Sequence, residues 1–231
     1  MVFNENITIL SVSDINLKKT LNAIIKSSIS LRPRENVLFT SKKINLTKQE
    51  KKYIKLINIK PIVSLKDYSN FIIYELHKYI TTTHALIVQW DGQVFNPEGW
   101  DLSFLNYDYI GAPFIPRHFD ECYSRDKKGN FYVVGNGGFS LRSKKLLEAP
   151  CKFKLKDEYS YTKFHEDGFF SVLHREFLES KGYTWAPYDI ARKFCIESPL
   201  SLNDLKKRPF GFHGKKMYYL NLLLNIRKKI F

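Results

Sequence analysis

Four apolar residues in succession lead to an acid and a glycine in the sequence Ala85-Leu86-Ile87-Val88-Gln89-Trp90-Asp91-Gly92. A short run that is apolar at every position is typical of a strand that is covered on both faces of its sheet. Open α/β sheets bind ligands beyond the carboxyl ends of their strands, where Asp91 is expected to lie. A carboxylate there can hold a divalent cation, because hard cations prefer oxygen ligands. Asp-Gly is also a common turn dipeptide, and this segment taken alone favours the turn.

The residues before this run alternate between strand and helix patterns. Apolar runs predict strands at 7–12, 36–40 and, more briefly, 61–63. Helical periodicity predicts helices at 15–29, at 47–57 with a capping box at its start, and at 67–80. The inward residues of the last helix are predicted to be Phe71, Ile72, Leu76 and Tyr79. This alternation is typical of a parallel, Rossmann-like sheet flanked by helices.

The pattern becomes less regular after residue 92. Residues 91–142 read as turns, aromatic residues and short strands, and 167–181 as a helix that ends at Gly182. One side of that helix is predicted to carry Phe170, Leu173, Phe177 and Leu178. We expect a single α/β domain with a nucleotide-binding half at 1–92, an irregular acceptor and catalytic half at 93–214, and a basic amphipathic helix at 215–231.

Composition limits the class of protein. The chain has 231 residues, 44% of them hydrophobic and 26% charged, which suits one globular domain and excludes a disordered or collagen-like chain. Its 37 Lys and Arg against 23 Asp and Glu give a net charge of +14. A charge of that size implies an anionic partner: nucleic acid, an anionic membrane surface or a phosphorylated substrate.

The cysteines and the first residues bear on the compartment. Cys122, Cys151 and Cys195 are far apart and odd in number, which argues against a zinc finger or a disulfide framework and fits a reducing compartment. Residues 1–12 lack the basic start of a secretory signal, and no apolar run approaches the ~20 residues of a spanning helix. We expect a cytoplasmic protein that can lie at the inner face of the cytoplasmic membrane.

A glycine-rich segment is the most specific of the candidate motifs. Val134-Gly135-Asn136-Gly137-Gly138-Phe139-Ser140-Leu141-Arg142 lets the backbone come close to a ligand, but it lies in a strand context and is not a phosphate-cradling loop. A bulged hairpin is the structural alternative. The glycines followed by Phe and Arg favour a binding site over the hairpin.

Two further segments carry candidate catalytic groups. His165-Glu166-Asp167 opens a helix, where acids also serve the helix dipole, and an acid of this pair can act as a general base. His213 stands between glycines in Phe210-Gly211-Phe212-His213-Gly214, which suits a metal ligand, a phosphate contact or a plain loop histidine. The other histidines considered, His77, His84, His118 and His174, are interpreted as structural.

The end of the chain is basic. Residues 205–231 carry eight Lys or Arg and no acid, interleaved with apolar residues. Such a helix can lie on an anionic membrane, or it can pack on the domain and expose a basic face. The sequence leaves both open.

Taken in order, these segments resemble a known family. Gln89-Trp90-Asp91-Gly92 with Asn96-Pro97, Tyr107-Asp108-Tyr109-Ile110-Gly111-Ala112-Pro113, and the three motifs at 135–142, 166–167 and 210–214 are similar to a bacterial glycosyltransferase family catalogued as domain of unknown function 5672. The resemblance covers about residues 74–214. That family is similar in turn to GT-A glycosyltransferases, which use one Rossmann-like domain, a nucleotide-sugar donor and usually Mn²⁺ or Mg²⁺.

The resemblance implies roles for individual residues. Asp91 falls where the fold keeps a metal-binding Asp-x-Asp, here reduced to one acid, which leaves metal dependence open. His213 falls where a late histidine completes metal or diphosphate binding. The acidic pair is Glu166-Asp167, with Asp167 as the expected base. Donor and acceptor contacts are expected at Ser11, Val12, Ser13, Gln89, Trp90, Asn136, Gly137, Gly138, Phe139, Arg142 and Lys215. Sugar faces can stack on Trp90, Trp100, Tyr109 and Phe139.

The sequence thus predicts a glycosyltransferase of bacterial surface polysaccharide synthesis. It would move a sugar from a nucleotide-sugar donor to a hydroxyl of a glycan or lipid-linked acceptor, with inversion and an acidic base. Two alternatives remain: a non-catalytic basic module that binds nucleic acid or glycan, and a nucleotidyltransferase. No RNA-binding motif is recognisable, so a nucleic-acid partner is not expected.

Overall fold

The computed structural model describes residues 4–114, 124–197 and 208–230, with side chains to residue 222. Within these residues the strands are β1 Asn4–Val12, β2 Pro33–Thr40, β3 Lys55–Asn58, β4 His84–Val88, β5 Gln93–Val94, β6 Tyr109–Gly111, β7 Phe139–Ser143, β8 Cys195–Ile196 and β9 Gly211–Phe212. Cys122, His118, Phe231 and the apolar side chains predicted for residues 223–226 lie outside the described residues.

The α-helices follow the same chain order. They are α1 Leu17–Leu31, α2 Glu50–Tyr53, α3 Leu65–Asn70, α4 Lys144–Lys152, α5 Tyr159–Thr162, α6 Glu166–Gly168, α7 Arg175–Ser180, α8 Tyr188–Phe194 and α9 Lys215–Ile230. Short 3₁₀ segments occupy Pro97–Gly99 and Leu102–Asn106. None of the described helices is both long and apolar enough to cross a membrane.

Six strands form the central sheet in the order β3-β2-β1-β4-β7-β6. The first four run parallel to one another, and β7 lies antiparallel between β4 and β6. A small second sheet has the order β5-β9-β8. The prediction of one α/β domain with a mostly parallel sheet is confirmed.

The sheet is covered on both faces because its central strands are apolar at successive positions. In β1, Ile9 belongs to the core on one face and Leu10 to the core on the other. In β4, Leu86 and Ile87 divide between the same two cores, and the whole strand is buried. The predicted strand with two covered faces is therefore confirmed.

The third strand differs from its prediction. The capping box forms, since the Thr47 N–H donates to Glu50 Oε2 at 2.7 Å and the Glu50 N–H to Thr47 Oγ1 at 3.2 Å. However, α2 ends at Tyr53 and the strand that follows is Lys55–Asn58, so the helix to 57 and the strand at 61–63 were wrong. The cause is that β3 is a mostly exposed edge strand, which needs no apolar run.

Two helices change their pitch, which overturns two predictions of inward residues. The helix that starts at Leu65 passes through a π segment, Phe71–Glu75, into a 3₁₀ turn, and the helix that starts at Glu166 has a π segment at Phe169–Leu173. Each change of pitch rotates the residues that follow it. Tyr79 and Phe177 are consequently exposed.

The helix end predicted at Gly182 and the last helix agree more closely with their predictions. Gly182 has a φ of +81°, which is the left-handed conformation expected after a helix. The helix α9 forms as predicted, and its first turns pack on the domain through the buried residues Met217 and Asn221. Both described cysteines, the exposed Cys151 and the buried Cys195, carry free thiols.

Candidate functional site

The candidate motifs meet at one edge of the central sheet. Phe139, the first residue of β7, pairs with Val88, the last residue of β4, because β7 runs antiparallel. Gly137 and Gly138 therefore lie beside Asp91, which follows β4. This is the edge at which the parallel strands end, where open α/β sheets bind ligands.

The acidic pair begins α6 and is enclosed. Glu166 and Asp167 are 4% and 9% exposed. The guanidinium Nη1 of Arg142 lies 2.6 Å from Glu166 Oε2, and neither side chain is open to solvent. Glu166 therefore belongs to a buried ion pair, which is a fixed part of the fold.

Asp167 is held differently from Glu166. Its Oδ2 accepts a hydrogen bond from the Gly137 N–H at 3.2 Å, and its Oδ1 from the Gly168 N–H at 2.8 Å. Burial, and next the neighbouring charge of Glu166, raise the pKa of Asp167 from 3.8 to about 7, against the opposing effect of Arg142. This carboxyl can thus gain or lose a proton near neutral pH.

Arg142 holds Glu166 and is closed to solvent. It is completely buried, its Nε donates to Ser140 Oγ at 3.1 Å, and its Nη2 donates to the Tyr109 hydroxyl at 3.3 Å. Burial alone lowers the pKa of Arg142, but the charge of Glu166 raises it above its ordinary value. The predicted donor or acceptor contact of Arg142 was wrong, because a side chain this enclosed holds Glu166 instead.

Gly137 and Gly138, the two glycines before β7, have neighbours so close that no larger residue fits at either position. A Cβ on Gly137 would lie 2.4 Å from Glu166 Oε1, and a Cβ on Gly138 would lie 2.0 Å from His213 Nε2. A single peptide therefore separates the acidic pair from a second cluster, built around His213. The glycine-rich segment allows both groups to approach the same backbone. The approach of a ligand to this segment stays a prediction.

The second cluster joins the loop after β4 to the end of the second sheet. His213 Nδ1 lies 3.0 Å from Glu197 Oε1, while its Nε2 faces Gln89 Oε1 at 3.3 Å and Asp91 Oδ1 at 3.7 Å. Burial lowers the pKa of His213, but Glu197, Asp91 and Asp167 raise it above its usual value. Asp167 thus acts electrostatically on both clusters.

Gln89 bridges the two clusters. Besides facing His213, its Nε2 donates to the Tyr68 hydroxyl at 3.1 Å. Burial and then the charge of Glu166 raise the pKa of Tyr68, which indicates that this hydroxyl stands near the acidic pair. Glu197 and Tyr68 were both missed by the sequence analysis. A lone acid after a two-residue strand and one tyrosine within a helix carry no local signal.

Several predicted contacts are buried in the fold. The Ser11 hydroxyl donates to the Val88 carbonyl, and both Ser11 and Val12 are buried, so Ser13 is the partly exposed member of that segment. The ring of Phe139 is enclosed by Phe194 and Phe210.

The aromatic residues that were predicted to stack on sugars have other partners. Phe139 is fully buried, and the buried Tyr109 stacks on Trp185, so the stacking predicted for both was wrong. Trp100 packs against Phe104 and Phe210, and Trp90 lies edge-on to Tyr218 of α9.

The remaining predicted contacts lie in the loops around the clusters. Asn136 Oδ1 accepts from the Gly138 N–H at 3.2 Å, which fixes the bend before β7. Lys215 is exposed at the start of α9, two residues after His213. Its ammonium is thus available to an anion at the site's rim.

The resemblance implies a divalent cation at this site. No group of three or more His, Cys, Asp or Glu suited to a metal occurs among the described residues. Asp91 Oδ1 and His213 Nε2 nevertheless face each other, and Glu197 orients the imidazole from its other nitrogen. Mg²⁺ and similar ions are commonly bound by one or two protein ligands together with substrate phosphates. The donor set therefore fits a cation that arrives with a diphosphate.

Comparison with known proteins places this geometry in a family. Residues 51–213 match the sequence profile described as protein of unknown function (DUF5672). The chain belongs to this family. No curated protein matches the chain. The matched residues of this family member span Asp91, the glycine-rich segment, the acidic pair and His213.

A solved structure shares its fold. A glycosyltransferase involved in the glycosylation of the major capsid of PBCV-1 is 16% identical, with a TM-score of 0.53 over 90% of this chain and 92% of that chain. The mannosyltransferase PcManGT from Pyrobaculum calidifontis, in complex with GDP-Man and Mn²⁺, is 10% identical, with a TM-score of 0.47. That match covers 82% of this chain and 56% of the mannosyltransferase.

Proposed function

We propose that the protein is a GT-A-type glycosyltransferase that moves a sugar from a nucleotide-sugar donor to a hydroxyl of a glycan or lipid-linked acceptor. One observation carries the proposal. The buried acidic pair and the Asp91–His213 pair approach the two sides of Gly137-Gly138, at the edge where the parallel strands end. A proton acceptor and a pair that can hold a cation against the diphosphate, both at one place, are what transfer from a nucleoside diphosphate sugar requires.

In this proposal Asp167 is the general base. The acceptor oxygen bonds to the anomeric carbon as its proton passes to Asp167, and the bond from that carbon to the diphosphate oxygen breaks. A base works best when its pKa is near the working pH, which burial and Glu166 provide for Asp167. Glu166 is held by Arg142 and orients the pair. This arrangement supports an inverting reaction.

In this proposal Asp91 and His213 bind the donor diphosphate through a cation. They would hold a Mn²⁺ or Mg²⁺ ion, which supplies positive charge against the leaving phosphate. Glu197 orients the imidazole of His213 through Nδ1, which leaves Nε2 for the cation, and the exposed Lys215 adds positive charge two residues further on. Ser13, Trp90 and Asn136 remain the proposed donor contacts.

We also propose a setting for the reaction. A net charge of +14 and a basic last helix favour binding to an anionic membrane surface. The inner face of the cytoplasmic membrane, where surface polysaccharides are assembled, is such a surface. A peripheral, cytoplasmic enzyme of bacterial polysaccharide synthesis is therefore the proposed role.

A thermal-shift screen tests the proposal. Nucleotides and nucleotide sugars are added with and without Mn²⁺, since a ligand that binds only the native state must raise the melting temperature. We expect one nucleoside diphosphate and its sugar to stabilise the protein, more strongly with Mn²⁺. Asp91→Asn should abolish that gain, while the exposed control Asp189→Asn should retain it.

The products separate this reaction from its alternatives. A glycosyltransferase releases nucleoside diphosphate from the bound donor, by transfer or by slow hydrolysis. A nucleotidyltransferase instead releases pyrophosphate from a nucleoside triphosphate and a sugar phosphate. Absence of any nucleotide-dependent stabilisation would leave the binding module as the correct interpretation.

A further inference from the structure

Positive charge is concentrated in a part of the chain that the proposed site does not use. Residues 26–60 contain ten Lys or Arg and two Glu, a net charge of +8 out of the chain's +14. These residues run from α1 to just beyond β3. A field of one sign on one region attracts a partner of the opposite sign.

The structure gathers this charge around a groove. The groove lies between the end of α1, the start of β2 and the segment from α2 to β3, and has a volume of about 730 Å³. Ligand sites commonly have volumes of about 300–1,000 Å³. Its cations are Arg32, Arg34, Lys51, Lys52 and Lys55.

The charges in the groove are mostly unneutralised. All five cationic side chains are exposed. Glu35 is the acid of the lining, and it lies 3.9 Å from Lys55 while also accepting from the hydroxyls of Thr8 and Thr81. Four cations of the groove therefore have no ion pair among the described residues, so an anionic occupant would meet little competition.

The rest of the lining suits a hydroxylated ligand with flat faces. Asn36 is 9% exposed, and its Nδ2 donates to Ser28 Oγ at 2.9 Å, whereas its Oδ1 has no partner among the described residues. Tyr53 is 40% exposed and Ile29 60% exposed at the same groove. Polar groups for hydroxyls next to an aromatic face are typical of a site for sugar rings.

We propose that this groove binds an anionic polysaccharide, the acceptor or growing product of the transfer reaction, at a distance from the catalytic edge. The proposal rests on the proposed function, which supplies the role of acceptor. The groove lies at the start of β2, whose eight residues span ~26 Å at about 3.3 Å per residue, and the site lies beyond the far end. An occupant that reaches both places must be a long chain.

Two other anionic partners fit the groove less well. A membrane that covered the groove would leave the catalytic edge at the opposite end of the strands, away from any lipid-linked acceptor. Single-stranded RNA is bound chiefly by stacking successive bases on several aromatic side chains. The lining of this groove offers one, Tyr53.

Binding of defined polymers to the full chain tests the proposal. The groove variant carries Arg34→Gln, Lys51→Gln and Lys52→Gln, all at exposed positions, and the control variant removes the same charge through Lys152→Gln, Lys156→Gln and Lys193→Gln. The probes are polygalacturonate, neutral dextran, poly(U) and phosphatidylglycerol vesicles. We expect the groove variant to bind polygalacturonate at least about tenfold more weakly, and the control less than about threefold.

Each other outcome overturns the proposal. An equal loss in the control variant would mean that overall charge, not the groove, binds the polymer. If binding depends on the groove but is tighter for poly(U) or for vesicles than for polygalacturonate, the groove binds RNA or a membrane and not a polysaccharide. If neutral dextran binds as tightly as polygalacturonate, the cations of the groove do not contribute to binding.

Donor hydrolysis without polymer reports on the proposed function separately. It should be unchanged in the groove variant, because the groove lies far from the donor. If no protein hydrolyses any donor while polygalacturonate binding still depends on the groove, the proposed function fails and the polysaccharide site stands.

Discussion

The acidic pair and the Asp91–His213 cluster stand on two sides of one peptide, yet they are built differently. Arg142 and Glu166 form a buried ion pair at 2.6 Å, locked by further hydrogen bonds. In the other cluster, the Glu197 side chain is 33% exposed and His213 Nε2 lies 3.7 Å from Asp91, beyond hydrogen-bonding distance. The first group is thus joined by direct contacts, whereas Asp91 and His213, with side chains 10% and 14% exposed, are not bonded to each other and form the more open cluster.

This difference predicts that the two clusters fail in different ways. A change in the enclosed pair should remove turnover or stability while donor binding persists, and a change in the open cluster should remove binding. Single variants of each cluster test that division.

Replacing the base should have the largest effect. Asp167→Asn removes the group that accepts the proton, and we expect transfer to fall about 10²–10⁴-fold while donor binding is retained. Steady-state rates and thermal shifts with donor measure the two separately. Unchanged turnover would mean that Asp167 is not the base and that the acidic pair only stabilises the start of the helix through its dipole.

Replacing the paired acid should act mainly on stability. Glu166→Gln leaves Arg142 as a buried charge without its partner, and breaking one side of such a pair costs about 3–5 kcal/mol. Urea denaturation gives the free energy of unfolding. The matched control is Glu176→Gln, whose ion pair with Lys128 is exposed and contributes at most about 1 kcal/mol. Equal losses in the two variants would contradict the enclosed ion pair.

The two glycines should separate the clusters. In Gly137→Ala the new Cβ meets Glu166 and Arg142, which cannot move, so turnover and stability should fall. In Gly138→Ala it meets the imidazole of His213, a partly exposed ring that can swing outward. We expect Gly138→Ala to keep most of its stability but to lose the Mn²⁺-dependent thermal shift with nucleoside diphosphate. The reverse pattern would break the comparison.

A dependence of stability on pH is also expected. The pKa of Asp167 is about 7 in the folded chain and 3.8 without the fold, so between these values the folded state holds a proton that the unfolded state has released. Stability from this group therefore falls as the pH rises from about 4 to about 7. This contribution should be missing in Asp167→Asn, so the difference in stability between the two proteins should change with pH over this range, as unfolding at several pH values would reveal.

The sequence predicted the sheet well and the site in part. Strands such as β4 carry a local signal, because their burial on both faces demands apolar residues in succession. The edge strand β3 carries none, since most of it is exposed. Asp91, His213 and the acidic pair were found through residue type and order along the chain.

What the sequence could not reveal are the contacts between distant segments. Glu197 meets His213 only because β8 and β9 pair, and Arg142 meets Glu166 only because the fold brings β7 and α6 into contact. Burial then turned Phe139 and Arg142 from predicted ligand contacts into supports. This packing decides which residues support the site and which ones can contact a ligand. No single sequence motif encodes it.

The pH profile of nucleoside diphosphate release tests the central claim most directly. The protein is incubated with the nucleotide sugar that stabilises it and with Mn²⁺, and the released diphosphate is measured for the wild type and for Asp167→Asn. The account predicts that the wild-type rate rises with pH up to about 7, as Asp167 loses its proton, and then levels off. The rate in Asp167→Asn should be at least about a hundredfold lower and without that rise. A wild-type rate that ignores pH in this range, or equal rates in the two proteins, would contradict the account.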